Sequence, residues 1–268
     1  MTVNDWLTRT TKDLTAAGIP TARLDATVLL CDELHKNSAQ LLAEPGLSLT
    51  SEQQQRLDEH VTRRKTHEPL AYIRQKCEFY GREFIISDAV LTPRPETEAI
   101  IELLKQLPPA AQQVVVDVGT GSGAIAITIA CELSVVQVMA TDIDQACLDI
   151  ARKNCIKHRA TVQLIKTNLA EDVKLPPNAT ILANLPYVPN SHAINQAATH
   201  EPALAIFGGE DGLDLYRTLF AQLQNMDHRG YVLTEALPSQ HEALSLVAKQ
   251  YGYSNPDSDD FIQVFYKD

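Results

Sequence analysis

Cysteine is sparse in this chain and poorly placed for cross-linking. The 268 residues hold five, Cys31, Cys77, Cys131, Cys147 and Cys155, and no two form a C-x-x-C pair. An odd, dispersed set excludes a disulfide framework and argues against a zinc site. The eight histidines are scattered without ligand spacing, so no metal is expected. No apolar run approaches the ~18 residues of a membrane span, so no membrane partner is expected. The opening "MTVNDWLTRTTKDL" lacks a basic start followed by an apolar core, so the expected location is cytoplasmic. Positive charge is also short: 23 Lys and Arg face 34 Asp and Glu, a net charge of −11. Met1–Arg74 is nearly balanced, nine against ten, and the remainder carries 14 against 24. Nucleic-acid binders draw affinity from phosphate contacts through basic patches. The only compact basic cluster, Arg63, Arg64 and Lys65, reads as a solvated helix end, so direct nucleic-acid contact is not expected.

What is present is the composition of a soluble globular protein, 44% hydrophobic and 21% charged. The length admits one large domain or two ordinary ones. From Val3 to about Arg74 the apolar residues recur at helical spacing, with Trp6, Leu7 and Leu14 in one segment and Leu24, Val28, Leu29 and Leu34 in another. Thr50 or Ser51 reads as the cap of a further helix. This is a bundle of four or five helices without a catalytic constellation, so its expected role is recognition of a partner. "KCEFYGREFII" then predicts a hairpin turning at Gly81. "TPRPETE" follows, stiffened by Pro93 and Pro95, and opens a helix. It reads either as a linker or as a lid carrying Arg94.

Beyond it, strands and helices alternate. Strands are expected in "QVVVDVG", "VVQVMATDID", "TVQLIKTN", "ATILANLPY", "RGYVLTEA" and "FIQVFYKD", with helices between most of them. Such alternation predicts an α/β fold with a doubly wound, mostly parallel sheet, whose ligands sit outside the carboxyl ends of the strands.

Two strand ends carry the chemistry. After Val118, "GTGSG" places Gly119, Gly121 and Gly123 at alternate positions, with Thr120 and Ser122 between them. Glycine lets backbone approach a ligand closely and adopts positive φ without strain. A dinucleotide phosphate turn needs G-x-G-x-x-G, and a Walker loop needs Gly-Lys-Ser/Thr; neither is here. The turn suits the phosphate-free methionine and ribose of S-adenosylmethionine. Asp117 can order the turn or meet the ligand's amino group. The next strand ends in Asp142, about twenty residues on, where a carboxylate can accept both ribose hydroxyls. Asp144 suits a helix cap.

The second strand end is "NLPY", Asn184 to Tyr187. An amide or aromatic amine nitrogen is a poor nucleophile because its lone pair is delocalised. The Asn184 side-chain oxygen and the Leu185 carbonyl can accept its two N–H hydrogens, turn the lone pair toward a methyl donor and stabilise the charge that develops. Pro186 stiffens the turn, and Tyr187 offers a face for stacking a planar group. No strong general base is needed, because the proton becomes acidic as the methyl is transferred. The bland alternative is an Asn-initiated turn that merely ends a strand.

These motifs resemble the release-factor glutamine methyltransferases, the PrmC/HemK family, over nearly the whole length. "EPLAYIRQKCEFYGREF" resembles the region between that family's helical and catalytic domains. "LTPRPETE" and "HEPALAIFGGEDGLDLYR" resemble segments rather specific to it, and "DVGTGSGAIAI" resembles its cofactor turn. The resemblance implies a seven-stranded, Rossmann-like methyltransferase sheet with a small N-terminal helical bundle and a β-hairpin linker. It divides the chain into 1–75 for substrate recognition, 76–98 for hairpin and linker, and 99–268 for catalysis. It implies methyl transfer from S-adenosyl-L-methionine, leaving S-adenosyl-L-homocysteine, to the Gln side-chain amide in the GGQ loop of class I peptide chain release factors, by a monomer. It places Gly119 to Gly123 under the methionine part of the cofactor, Asp142 at the ribose, Leu169 near adenine, Asn184 between cofactor and substrate amide, and Leu185, Pro186 and Tyr187 in the substrate clamp. Three departures stand out. Leu185 replaces the first Pro of the family's usual "NPPY", Asn168 replaces an Asp, and Glu235 is not followed by the usual Gly. "NLPY" is also the form seen in adenine-N6 dimethyltransferases of ribosomal RNA. The alternatives are therefore an adenine-N6 methyltransferase on RNA or DNA, or a cofactor-binding homologue with weakened turnover.

Overall fold

The computed structural model describes residues 1–133, 137–171 and 173–268. They form two compact units: Met1–Gln75 with Asn195–His200, and Lys76–Ile194 with Glu201–Asp268.

The first unit is helical. Its helices are α1 (Val3–Ala16), α2 (Ala22–Leu34), α3 (Ser38–Ala43), α4 (Ser51–Lys65) and α5 (Leu70–Arg74). Three of them begin with a reciprocal cap: Thr2 with Asp5, Asn37 with Gln40 and Thr50 with Gln53. Each pair satisfies two backbone N–H groups left open at a helix start. Trp6, Leu14, Leu29, Leu30 and Leu57 form the core. The Trp6 indole Nε1–H donates to Asp58 Oδ1 at 3.1 Å. The basic cluster departs from the solvated helix end expected of it. Arg64 is only 8% exposed and pairs with buried Asp25 at 2.7 Å. The cause is periodicity: Leu57, Val61 and Arg64 share one face of α4. Arg63 pairs with Glu68 instead.

The second unit begins with the hairpin β1 (Lys76–Phe79) and β2 (Arg82–Ile85). Its two turn residues, Tyr80 and Gly81, both have positive φ, 50° and 67°, which suits a two-residue hairpin. Pro95–Thr97 forms a 3-10 turn that leads into α6 (Glu98–Gln106). There follow β3 (Val114–Val118), α7 (Ala124–Glu132), β4 (Gln137–Asp142), α8 (Gln145–His158), β5 (Val162–Lys166), β6 (Thr180–Ala183), α9 (Asp214–Asn225), β7 (Gly230–Glu235), α10 (His241–Gln250), β8 (Ser254–Asp259) and β9 (Ile262–Lys267). Val135 and Val136, expected in the strand that contains β4, lie outside the described residues.

The seven-stranded sheet has the order β5-β4-β3-β6-β7-β9-β8. It is parallel from β5 to β7, and β9 runs antiparallel to both β7 and β8. Alternate strand residues point to opposite faces. Val116, Val118, Ile181, Ala183 and Val232 pack on one face with Tyr216, Leu219, Phe220 and Leu223 of α9 and Leu244 and Val247 of α10. The chain winds outward from β3 through β4 to β5, then returns to place β6 on the other side of β3. Strand order reverses there, and sheets of this kind hold their ligands at such a reversal, outside the carboxyl ends of the strands, here β3 and β6.

Candidate active site

The end of β3 is bound tightly to the end of β4. Gly119 N–H and Thr120 N–H both donate to the Thr141 carbonyl, each at 2.9 Å. Gly119 and Gly121 have φ of 74° and 54°, a region that costs other residues strain. A methyl group added to Gly121 would meet nothing within 4 Å, so its backbone faces open space. Gly121 N–H donates to Asp142 Oδ2 and Asp144 N–H to Asp142 Oδ1, both at 2.9 Å. Each Asp142 oxygen therefore keeps a lone pair for a ligand. Burial raises the Asp142 pKa, against those two hydrogen bonds. Asp144 caps α8 by accepting from Ala146 N–H at 2.9 Å. Ile143, between the two aspartates, is 63% exposed.

Asp117, beneath the turn, is 1% exposed. Its Oδ2 accepts from the Thr120 hydroxyl at 2.6 Å and from Ala126 N–H at 3.3 Å. Its Oδ1 is buried with no hydrogen-bond partner among the described residues. Burial pushes its pKa up to about 6, and the nearby Asp142 charge adds to the rise. A buried carboxylate oxygen left unpaired is costly unless a donor reaches it. An open glycine cradle, Asp142 lone pairs and this orphaned oxygen together fit a ligand that carries an ammonium and a ribose.

Leu169 lies in the turn after β5, with φ 56° and its side chain buried in the core. That turn is tied to the same region: Thr167 N–H donates to the Asp142 carbonyl at 3.0 Å. Gln222 of α9 clamps it by accepting from Ala170 N–H at 3.0 Å and donating to the Asn168 carbonyl at 3.2 Å. Ser122 is buried, and its carbonyl accepts from Asn154 Nδ2 at 2.9 Å. The same Asn154 exchanges hydrogen bonds with Ile85 N–H (2.7 Å) and carbonyl (3.0 Å), so one α8 side chain joins hairpin to glycine turn.

Asn184 follows directly on β6. Its Nδ2 donates to Thr97 Oγ1 at 3.0 Å, across 87 residues of sequence. Leu185 is 2% exposed, and its N–H donates to the Tyr216 hydroxyl at 3.3 Å. A methyl group built on Gly119 would lie 2.9 Å from Leu185 Cδ2, so the two turns are in contact. The Tyr187 hydroxyl donates to Glu235 Oε1 at 3.1 Å. Glu235, at the end of β7, is 2% exposed, and its Oε2 has no partner in hydrogen-bond geometry among the described residues. Burial raises its pKa and Glu96 adds to that, while Thr97, Tyr187 and Asn184 beside it act in the opposite direction.

The reactive turn is braced from behind. The Tyr187 carbonyl accepts from Gln240 Nε2 at 2.8 Å. Added methyl groups at Gly208 and Gly212 would come within 2.2 Å of the Pro186 carbonyl and 2.0 Å of the Tyr187 carbonyl. Only glycine fits beneath these carbonyls, which gives "FGGEDG" its physical meaning. "TPRPE" is strapped down by buried Glu201, which accepts from Arg94 and, at 3.3 Å, from Thr92 N–H. That strap brings Thr97 to Asn184.

The residues expected from sequence therefore lie at the carboxyl ends of neighbouring strands: Gly119 to Gly123 after β3, Asp142 at the end of β4, Leu169 in the turn after β5 and Asn184 to Tyr187 after β6. Thr97, Glu235 and Asn154 were missed as contributors. Asn154 had a faint signal, a polar residue in register with Leu148 and Ala151 on the buried face of α8. Thr97 lies within "TPRPETE" and Glu235 was marked by the missing Gly after it, but neither carried a role, because their partners are remote in sequence.

Comparison with known proteins shows the family and the fold. The family profile of the PrmC N-terminal domain matches residues 5–74, and that of the methyltransferase small domain matches residues 97–202. A methyltransferase from Pyrococcus furiosus has the same fold, with TM-score 0.53 at 18% identity over 81% of this chain and 98% of that one. A release factor glutamine methyltransferase of Koribacter versatilis is 39% identical over 88% of this chain and 86% of that protein. One of Coxiella burnetii is 35% identical over 87% and 85%. With identity at this level across most of both lengths, the chain belongs to the release factor glutamine methyltransferase family.

Proposed function

We propose that this enzyme transfers a methyl group from S-adenosylmethionine to the side-chain amide nitrogen of the Gln in the GGQ motif of class I peptide chain release factors. The observation that carries this reading is the contact between Gly119 and Leu185, which puts a cradle for a cofactor and a clamp for an amide against each other at the point of strand reversal. The cofactor supplies an electrophilic methyl on a sulfonium. The backbone of Gly119 to Gly123 lies against its methionine portion, with Thr120 and Ser122 holding the turn. Asp117 meets its ammonium, Asp142 its ribose hydroxyls. Ile143, exposed beside Asp142, and the Leu169 turn flank its adenine.

On the substrate side the chain offers acceptors. The Asn184 oxygen and the Leu185 carbonyl take the two amide hydrogens, which holds the nitrogen lone pair toward the methyl and stabilises positive charge as the bond forms. Tyr187 stacks on the planar amide, and Pro186 keeps the turn rigid. The nitrogen loses its proton to water once it is acidic. Two acceptors exclude a carboxylate, which has no hydrogen to give. Residues 1–75 hold the release factor, and the acting species is the monomer.

The "NLPY" form favours a second reading, adenine-N6 methylation of nucleic acid. One experiment separates the two. Labelled S-adenosylmethionine is incubated with a purified class I release factor, with the same factor carrying Ala for the GGQ glutamine, and with ribosomal RNA and DNA. Label on the first alone is expected. Label on RNA or DNA and not on the factor would replace the glutamine reading with the adenine one. No label on any of them, with cofactor still bound, would leave a binding protein.

A further inference from the structure

Two buried groups beside Asn184 take no part in the reading above, Thr97 and Glu235. Both are nearly closed to solvent, 3% and 2% exposed. They bear on a problem the amide clamp must solve. The two ends of an Asn side chain have almost the same shape and opposite chemistry: one accepts, the other donates. Rotated half a turn, Asn184 would present N–H to the substrate amide and repel the hydrogens it should accept.

Thr97 alone cannot prevent this, because a hydroxyl rotates to donate or accept as its neighbour requires. Glu235 removes the choice. Its carboxyl sits beside Thr97 and Asn184, and its Oε2 is buried and open. Thr97, Tyr187 and Asn184 beside it all favour its charged form against burial, and a carboxylate in that form only accepts. The Thr97 hydroxyl is then drawn to act as its donor, which leaves Oγ1 lone pairs for Asn184, and the Nδ2 end of Asn184 is favoured next to the carboxylate as well. Against an oxygen that can only accept, Asn184 must present Nδ2, which is the contact observed at 3.0 Å. Its oxygen is left for the substrate. The other oxygen of Glu235 holds the Tyr187 hydroxyl at 3.1 Å, so one carboxylate sets both the acceptor and the stacking ring. The strand register favours this: Ala183 of β6 is level with Thr234 of β7, which brings Asn184 and Glu235 out side by side.

We propose that Glu235, together with Thr97, is a positioning residue that fixes the Asn184 amide with its oxygen toward the substrate. The inference rests on the amide-transfer reading. The test measures kcat and KM for release factor, and S-adenosylmethionine affinity by calorimetry, in full-length Thr97→Ser, Thr97→Val, Glu235→Gln and the double variant Thr97→Val/Glu235→Gln. Thr97→Ser keeps the hydroxyl and should stay within about threefold of wild type, whereas Thr97→Val and Glu235→Gln should each lower kcat about tenfold or more. Cofactor affinity should not change in any of them. The losses in the double variant should fall well short of multiplying, because both groups act on the one Asn184 amide. A purely structural role predicts instead that losses multiply and that Thr97→Ser fails like Thr97→Val. Wild-type kcat in Thr97→Val or Glu235→Gln, or multiplying losses, would overturn the proposal while amide transfer stands. If Glu235→Gln fails to fold, the Thr97→Ser and Thr97→Val pair still decides. Absence of transfer to release factor by the wild-type chain would instead overturn the amide-transfer reading, and this inference with it.

Discussion

A single atom with nothing to bond carries much of the cofactor argument. Asp117 Oδ1 is buried without a partner, and burial raises the carboxyl from 3.8 to about 6. Between those values the folded chain holds a proton that the unfolded chain has released, so stability falls as pH rises from about 4 to 6 and stays lower above that. The full difference is on the order of 2–3 kcal/mol. Asp117→Asn removes the titration. Urea unfolding at pH 5 and pH 7 should show the wild type losing stability across that interval relative to the variant; parallel curves would contradict the assignment. An ammonium beside Oδ1 favours the charged carboxylate, so S-adenosylmethionine should bind more weakly as pH drops through about 6. Calorimetry in buffers of different ionisation enthalpy should register proton release on binding near that pH. At the other turn, Asn184→Ala should lower kcat by roughly 10²-fold, the usual cost of losing one preorganised polar contact to the reacting group. Cofactor affinity should be mostly kept.

At the scale of elements, the substitution of Leu for Pro at position 185 has a structural account. Leu185 contributes an N–H that reaches the Tyr216 hydroxyl, which itself bonds the Glu235 carbonyl at the end of β7. A proline has no such donor. Leu185→Pro should therefore destabilise the chain by about 1 kcal/mol for the lost hydrogen bond and more for the lost side-chain packing. That corresponds to a drop of several degrees in Tm, about 2–4 °C per kcal/mol. An unchanged Tm would mean that the Tyr216 link does not support the β6 turn. Much at this scale was legible beforehand. The glycine turn, the Asn184 strand end and the alternation of strands and helices follow from local pattern, and the capping Thr50 is a local chemical choice. The strand β8, "SNPDSD", was not legible. It pairs only with β9 at the sheet edge and is exposed along much of its length, so no apolar alternation marks it. Thr97 and Glu235 escaped for another reason: their meaning lies in neighbours 87 and 48 residues away, Asn184 and Tyr187.

At the scale of the molecule, two units with separate hydrophobic cores make separable stability changes expected. Asp25→Ala strands Arg64 without its partner in the helical unit, a loss of about 3–5 kcal/mol for a buried pair. Scanning calorimetry should then show an early transition from that unit, with the later one still raised by S-adenosylmethionine. A single transition moved as a whole would mean that the two cores unfold together. The contact between Gly119 and Leu185 has its own consequence for heredity. Gly119→Ala should be a lesion that a second change can partly suppress, since Leu185→Val withdraws the methyl that the new Cβ would strike and leaves only the strain of positive φ. Gly208→Ala should have no such suppressor, because its obstacles are the Pro186 and Gly212 carbonyls, which every residue carries.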